Sequence, residues 1–208
     1  SPHAFTQDAY TDSLFQVIDA SDSNSEKIDL LNTAAQYLVW SLPDSAIKHS
    51  ETAYAMAVTA SEPAQQSIAL RTISCAYYIL GDADIALEKG HHSLDIARQI
   101  ADIHAIASSA NNLGLIYQDL GNYQQSIEFF KEAIQHSVNR EIAPHSMINN
   151  MANSYYDMGE YEKAMQYHEE ALKIRFKDAV GFGPDRPLRP NNSSINRKIN
   201  RRVDIIIV

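Results

Sequence analysis

Residues 111–133 read NNLGLIYQDLGNYQQSIEFFKEA, and the spacing inside this stretch decides the fold. Gly114 and Tyr117 stand three apart, which at 3.6 residues per turn places them on one face of a helix. Ser126 and Ala133 stand seven apart, which places two small residues on one face of a second helix. Between them, Gly121 ends a helix and Asn122 starts the next, because glycine accepts the left-handed backbone and asparagine caps free N–H groups. The stretch therefore predicts a helix–turn–helix in which small residues let two axes approach while tyrosine fills the space beside them.

Working outward, the same pattern recurs. Ala34, Ser74, Gly114 and Ala152 are separated by 40, 40 and 38 residues. Three positions after each stands Tyr37, Tyr77, Tyr117 and Tyr155, and seven after stand Ser41, Gly81, Gly121 and Gly159. Small residues follow at twelve (Ala46, Ala86, Ser126, Ala164) and at nineteen (Ala53, Ser93, Ala133, Ala171). Tyrosine is 11 of 208 residues, so four in one column arise by chance about once in 100,000, and the repeat is real. The columns predict helix pairs at about 25–41/43–60, 62–80/82–100, 102–120/122–138 and 141–158/160–176. In the first repeat Pro43-Asp44 makes the break by removing a backbone donor.

These residues resemble the tetratricopeptide repeat family. The clearest copies are Asn112-Leu113-Gly114-x-x-Tyr117-x-x-x-Gly121-x-Tyr123-x-x-Ser126-x-x-x-Phe130-x-x-Ala133 and Met151-Ala152-x-x-Tyr155-x-x-x-Gly159-x-Tyr161-x-x-Ala164-x-x-x-His168-x-x-Ala171. The first two repeats depart from the pattern: Pro43 and Ala83 replace the second tyrosine, and Ser50 and Gly90 replace the bulky Phe. The long period is similar to that of kinesin light chains and of bacterial peptide-responsive regulators. The resemblance covers about residues 25–176 and implies an all-α fold, a right-handed superhelical solenoid of four helix pairs. Residues 1–24 are expected to form an N-terminal capping helix and linker, the helix over about 4–20 hiding the apolar end of the stack through Leu14, Phe15, Val17 and Ile18.

In such a stack the first helices line a concave groove. The columns two and three before each anchor supply Asn32, Thr72, Asn112 and Asn150, then Leu31, Arg71, Asn111 and Asn149, with Asn153 one residue after the last anchor. An asparagine carries both a donor and an acceptor and so grips a peptide backbone without reading its side chains. The row resembles the asparagine ladder with which members of the family hold extended peptides. Further groove columns are apolar in the first half (Leu38, Val39, Tyr78, Ile79) and polar and acidic in the second (Gln118, Asp119, Tyr156, Asp157).

Composition narrows the function. The net charge of −9 disfavours a nucleic-acid or anionic-membrane partner, and no apolar run reaches the length of a bilayer span. The histidines are scattered, and the chain has no His-Glu-x-x-His, no phosphate-cradling Gly loop and no Gly-x-Ser-x-Gly. Asp82 and Asp84 sit where helix capping needs them. Cys75 is read as a small packed hydrophobe. The expectation is a non-enzymatic protein with no cofactor, no metal and no catalytic residue, whose partner is a peptide or protein segment in the groove.

Charge and composition shift near residue 178. Residues 1–177 carry a balance of −12 and residues 178–208 a balance of +3, with Gly181, Gly183, Pro184, Pro187 and Pro190 ending the helical pattern. This basic tail is expected to be non-helical, with a β-prone run from Val203 to Val208 that pairs with another chain, packs on the solenoid or stays unfolded. Self-association through residues 178–208 is one of those outcomes. Val180-Gly181-Phe182-Gly183, Pro187, Pro190-Asn191, Asn196-Arg197 and Asn200-Arg201-Arg202-Val203-Asp204-Ile205 resemble the last stretch of OmpA-like peptidoglycan-associated domains. The rest of that domain has no counterpart, so no wall-binding residue is carried over. The opening (Asp12-Leu14, Lys27, Leu30-Leu31-Asn32, Pro43-Asp44, Ala46-Ile47) resembles extracytoplasmic sensor regions of bacterial membrane signalling proteins. Starting at Ser1 without Met, the chain is expected to be a trimmed product. Together these imply an adaptor or sensor region in a bacterium, on the periplasmic side of the membrane. The alternative is an envelope scaffold joined to an OmpA-like end.

Overall fold

The computed structural model describes residues 18, 21, 23–137 and 144–180, the last five as backbone alone. Among the described residues there are eight long helices and no strand. They are α1 (Asn24–Leu38), α2 (Pro43–Thr59), α3 (Pro63–Leu80), α4 (Ala83–Gln99), α5 (Ile103–Asp119), α6 (Tyr123–His136), α7 (Pro144–Asp157) and α8 (Tyr161–Val180). The chain divides into two compact units, Ser1–His136 and Ser137–Val208. The first holds α1–α6 and the second α7 and α8. The helices begin and end close to the predicted positions, and α8 continues to Val180 instead of stopping at 176. The segment 181–208, with its OmpA-like motif, lies outside the described residues, as does most of the expected capping helix. Of the latter, Ile18 is helical and packs with Leu31, Ala34, Ala53 and Ala69.

Local chemistry sets the helix ends. Ser23, Asp82 and Asp102 accept from backbone N–H groups of the turns they start, Asp102 from both His104 and Ala105 at 3.0 Å. Pro43 and Pro63 open α2 and α3, where a missing N–H costs nothing. Three pairs turn through left-handed glycines, Gly81, Gly121 and Gly159, with φ of 86°, 73° and 81°. Between pairs, Ser61 and Ala101 adopt the same left-handed backbone at φ 57° and 53° without a glycine's freedom.

The small columns are the seams of the packing. Ala46, Ala86 and Ser126 are fully buried, as are Ala53, Ser93 and Ala133; in the second unit Ala164 and Ala171 are buried likewise. Size trades across each seam. In the third repeat Phe130 lies fully buried against Gly114, where an added Cβ would come 2.6 Å from its ring. In the second repeat the partners are Ser74 and Gly90, and a Cβ on Gly90 would meet Leu113 Cδ2 at 2.8 Å and Ser74 Oγ at 2.9 Å. The missing Phe of the second repeat is thus answered by a larger anchor and by Leu113. Two of the four column tyrosines stack on second helices, Tyr117 on Phe129 (centroids 5.4 Å apart) and Tyr155 on Tyr167 (5.3 Å).

Hydroxyls run through the core of the first unit. Ser93 Oγ donates to the Ser67 carbonyl at 2.7 Å, Ser67 Oγ lies 3.0 Å from the Ser93 carbonyl, and Ser93 Oγ meets Ser109 Oγ at 2.8 Å. This chain ties α3, α4 and α5 together. All three residues are buried, and each of these three hydroxyls is paired.

Candidate functional site: a polar cavity on the first helices

Within the first unit the first helices of successive pairs touch directly, α1 with α3 and α3 with α5. Their exposed faces surround an open cavity of about 250 Å³. Gln36 comes from α1 and Trp40 from just beyond it, Arg71 and Cys75 from α3, and Ser108 and Asn111 from α5. Arg71 and Cys75 lie one turn apart, as do Ser108 and Asn111, so each helix presents a single stripe to the cavity.

The two candidate columns have different duties. Asn32, Thr72 and Asn112, two before each anchor, are buried. Asn32 Nδ2 donates to the Gln65 main-chain carbonyl at 3.2 Å and to Gln65 Oε1 at 2.8 Å, joining α1 to α3. Thr72 Oγ1 donates to the Ile68 carbonyl of its own helix at 3.0 Å. Asn112 Nδ2 donates to Ser74 Oγ at 2.7 Å, and that hydroxyl donates to the Ala86 carbonyl at 2.6 Å. Only one edge of Asn112 reaches the cavity wall. This corrects the expectation for Asn32, whose amide holds helices together instead of fronting the groove. The column three before each anchor, Arg71 and Asn111, lines the cavity from half-buried positions.

The expected apolar-to-acidic grading is also revised. Leu38 belongs to the core with Ala35, Ala46 and Ala76, while Val39 touches both that core and the cavity. Tyr78 and Asp119, expected in opposite halves, are bonded to each other, the phenol donating to the carboxylate across α3 and α5. Burial and this acceptor push the Tyr78 pKa up to about 12. Gln118 is half-buried beside this pair on α5.

Arg71 is the one cation of the cavity wall. Its Nη2 lies 3.5 Å from Gln36 Oε1, and no described carboxylate comes within ion-pair distance. Burial lowers its pKa, with the Cys75 thiol opposing, and guanidinium keeps its charge at neutral pH. Burial in turn raises the Cys75 pKa, which leaves a protonated, unreactive thiol.

In the second unit Asn149, Asn150 and Asn153 lie along α7, with Asn149 and Asn153 exposed and Asn150 half-buried. His168 Nδ1 lies 2.9 Å from Asn149 Oδ1, the ring N–H donating across to α7. Both line a cavity of about 310 Å³ with His145 and Arg175. Tyr156 is exposed and meets Tyr161 edge to face at 5.1 Å, and Asp157 is exposed beside it.

Sequence reasoning missed Gln36, Trp40 and Ser108. Ser108 was within reach, since it stands one turn before Asn111 on the same face. Trp40 stands at a helix end, where periodicity gives no direction. Among the described residues no group of three metal-ligating side chains occurs and no helix is long and apolar enough to cross a membrane.

No curated protein matches the chain in sequence. Solved structures do match its fold. It is similar to BtubC from P. vanneervenii, with 18% identity, TM-score 0.64, and coverage of 89% of this chain and 76% of that one. It is also similar to a Rap protein complexed with competence and sporulation factor, with 17% identity and TM-score 0.74, over 83% of this chain and about half (51%) of that one. MamA aligns over 86% of this chain and 94% of its own, at 17% identity and TM-score 0.61. At these identities the likeness is one of fold. A tetratricopeptide repeat model matches residues 65–137 and again 105–177, which together are more than half of the sequence. With its small-residue seams, left-handed turn glycines and cavity built from first helices, the chain belongs to the tetratricopeptide repeat family.

Proposed function

We propose that the chain is a non-catalytic interaction module that takes an extended peptide or protein segment in the cavity formed by α1, α3 and α5. One observation carries the reading: three successive first helices present donors and acceptors (Gln36 from α1, Arg71 from α3, Ser108 and Asn111 from α5) around a single open cavity with an exposed indole at its rim. Several such bonds, each contributing about 0.5–1.5 kcal/mol net, are needed to hold a backbone. The Rap protein of similar fold is complexed with competence and sporulation factor, which supports ligand capture by this architecture. The biological reading is an adaptor or sensor region of a bacterial signalling protein outside the cytoplasm, supported by the motifs of the opening segment.

The test is selection of peptides from a random display library on the full chain, followed by affinity measurement on wild type and Ser108→Tyr. Ser108 is half-buried on the cavity wall, so a phenol there fills the space without entering the core. Selected peptides should bind the variant at least about tenfold more weakly, with the helical circular dichroism unchanged. Equal binding to both proteins refutes the cavity as the site.

A further inference from the structure

The cavity contains a charge that no described carboxylate answers. Arg71 stands midway along α3, half-buried, and among the described residues its hydrogen bond is a long one to the neutral Gln36. The acids of both flanking helices are each held by a neutral donor. Gln65 Nε2 bonds the Asp29 carboxylate of α1, and Tyr78 bonds the Asp119 carboxylate of α5. Elsewhere in the unit an arginine with the same freedom is paired: Arg98 grips Glu132 with two bonds, 2.9 and 2.8 Å. Taking a cation out of water without a partner is costly.

We infer that Arg71 is the anchor for an acidic side chain of the bound peptide, an aspartate or glutamate whose carboxylate enters the cavity beside Trp40 and is held by the guanidinium. This deepens the peptide-binding reading and rests on it. Three features favour this occupant. The guanidinium fork matches a carboxylate in two parallel bonds. Ser108 and Asn112 from α5 line the same space and offer donors to remaining oxygen lone pairs. The cavity is open and sits at mid-helix, so a main chain can continue past it on both sides, as a side chain's carboxylate requires. The −11 balance of residues 1–136, with 17 Asp/Glu against 6 Lys/Arg, repels acidic segments at long range, so the anchor selects for a carboxylate placed at one point rather than for general acidity.

Trp40 is the single tryptophan of the chain and is 71% exposed on the cavity rim, which makes it a built-in reporter. The experiment is a fluorescence titration of the full chain with blocked pentapeptides, acetyl-Ala-Ala-Asp-Ala-Ala-amide, its Glu counterpart and the Asn and Gln amides, alongside unblocked penta-alanine. The acidic peptides should give a saturable change that the amides require at least about tenfold more ligand to reach. Arg71→Gln should abolish this discrimination, and Arg71→Lys, which keeps the charge but not the fork, should retain part of it, with circular dichroism confirming that both fold. Equal response to acid and amide, discrimination that survives Arg71→Gln, no saturable response up to millimolar acidic peptide, or saturation by the terminal carboxylate of penta-alanine alone each overturns the inference. Library peptides that lose affinity on Ser108→Tyr yet carry no acidic residue would leave the groove reading standing while this one falls.

Discussion

Gly114→Ala isolates the contact that sets the third seam. The new Cβ would lie 2.6 Å from Phe130 Cε1, 2.7 Å from Cδ1 and 3.0 Å from Cζ. Phe130 is fully buried and its ring has no solvent side to retreat to. Overpacking of this kind costs about 1–3 kcal/mol. Against it, exchanging glycine for alanine inside α5 contributes about 0.5–1 kcal/mol through backbone entropy and helix propensity. The clash outweighs the gain, so the variant should lose about 1–2 kcal/mol in urea unfolding followed by circular dichroism. In a Phe130→Leu background the ring edge is gone and the same change should be neutral or stabilising, a coupling of about 2 kcal/mol in the double-mutant cycle. Gly90→Ala is the internal comparison: its near contacts, the end of the Leu113 side chain at 2.8 Å and the Ser74 hydroxyl at 2.9 Å, are longer than the two shortest ring contacts at Gly114, so its loss should be smaller. A Gly114→Ala chain more stable than wild type, or equal effects in both backgrounds, refutes the account of the seam.

Ser50 is fully buried with its hydroxyl unpartnered among the described residues, so Ser50→Ala should raise stability by about 1 kcal/mol in the same urea assay. Ser61→Gly and Ala101→Gly relieve left-handed backbone and should each contribute about 1 kcal/mol, read as a higher unfolding midpoint. His91 packs on Tyr117 and Phe129, its Nε2 2.9 Å from the Tyr117 hydroxyl. Burial lowers its pKa and nearby Arg98 adds to this, with Asp95 opposing. The unfolded chain therefore binds the proton more readily. The contribution of this residue is full above the ordinary pKa of about 6.5 and is lost as pH falls below it, a slope that His91→Phe should remove from the pH–stability curve.

The helices were legible because their cause is local. Glycine, proline and asparagine mark the turns, and alanine or serine at fixed intervals marks the seams, whatever the rest of the molecule does. The groove was legible only in part. Columns two and three before the anchor differ by one residue, about 100° around the helix, and which of them faces outward depends on how neighbouring helices nest. Asn32 and Asn112 are polar in either case, and only the positions of Gln65 and Ser74 show that their amides hold helices together. The pairing of Tyr78 with Asp119 joins residues 41 apart in sequence, which no short-range period reports. That no described carboxylate pairs with Arg71 is of the same kind, since it depends on how distant helices nest.

The hydroxyl chain of Ser67, Ser93 and Ser109 has a mechanical consequence. Alanine surfaces can slide past one another with little change in energy, but here each step of one helix along its neighbour, about 1.5 Å per residue, would break directional bonds between buried hydroxyls. The chain acts as a detent that resists shear. An arriving ligand would then meet walls already set at their working separation, and any adjustment would come from hinging at the turns, where Ser61 and Ala101 already hold the backbone under tension.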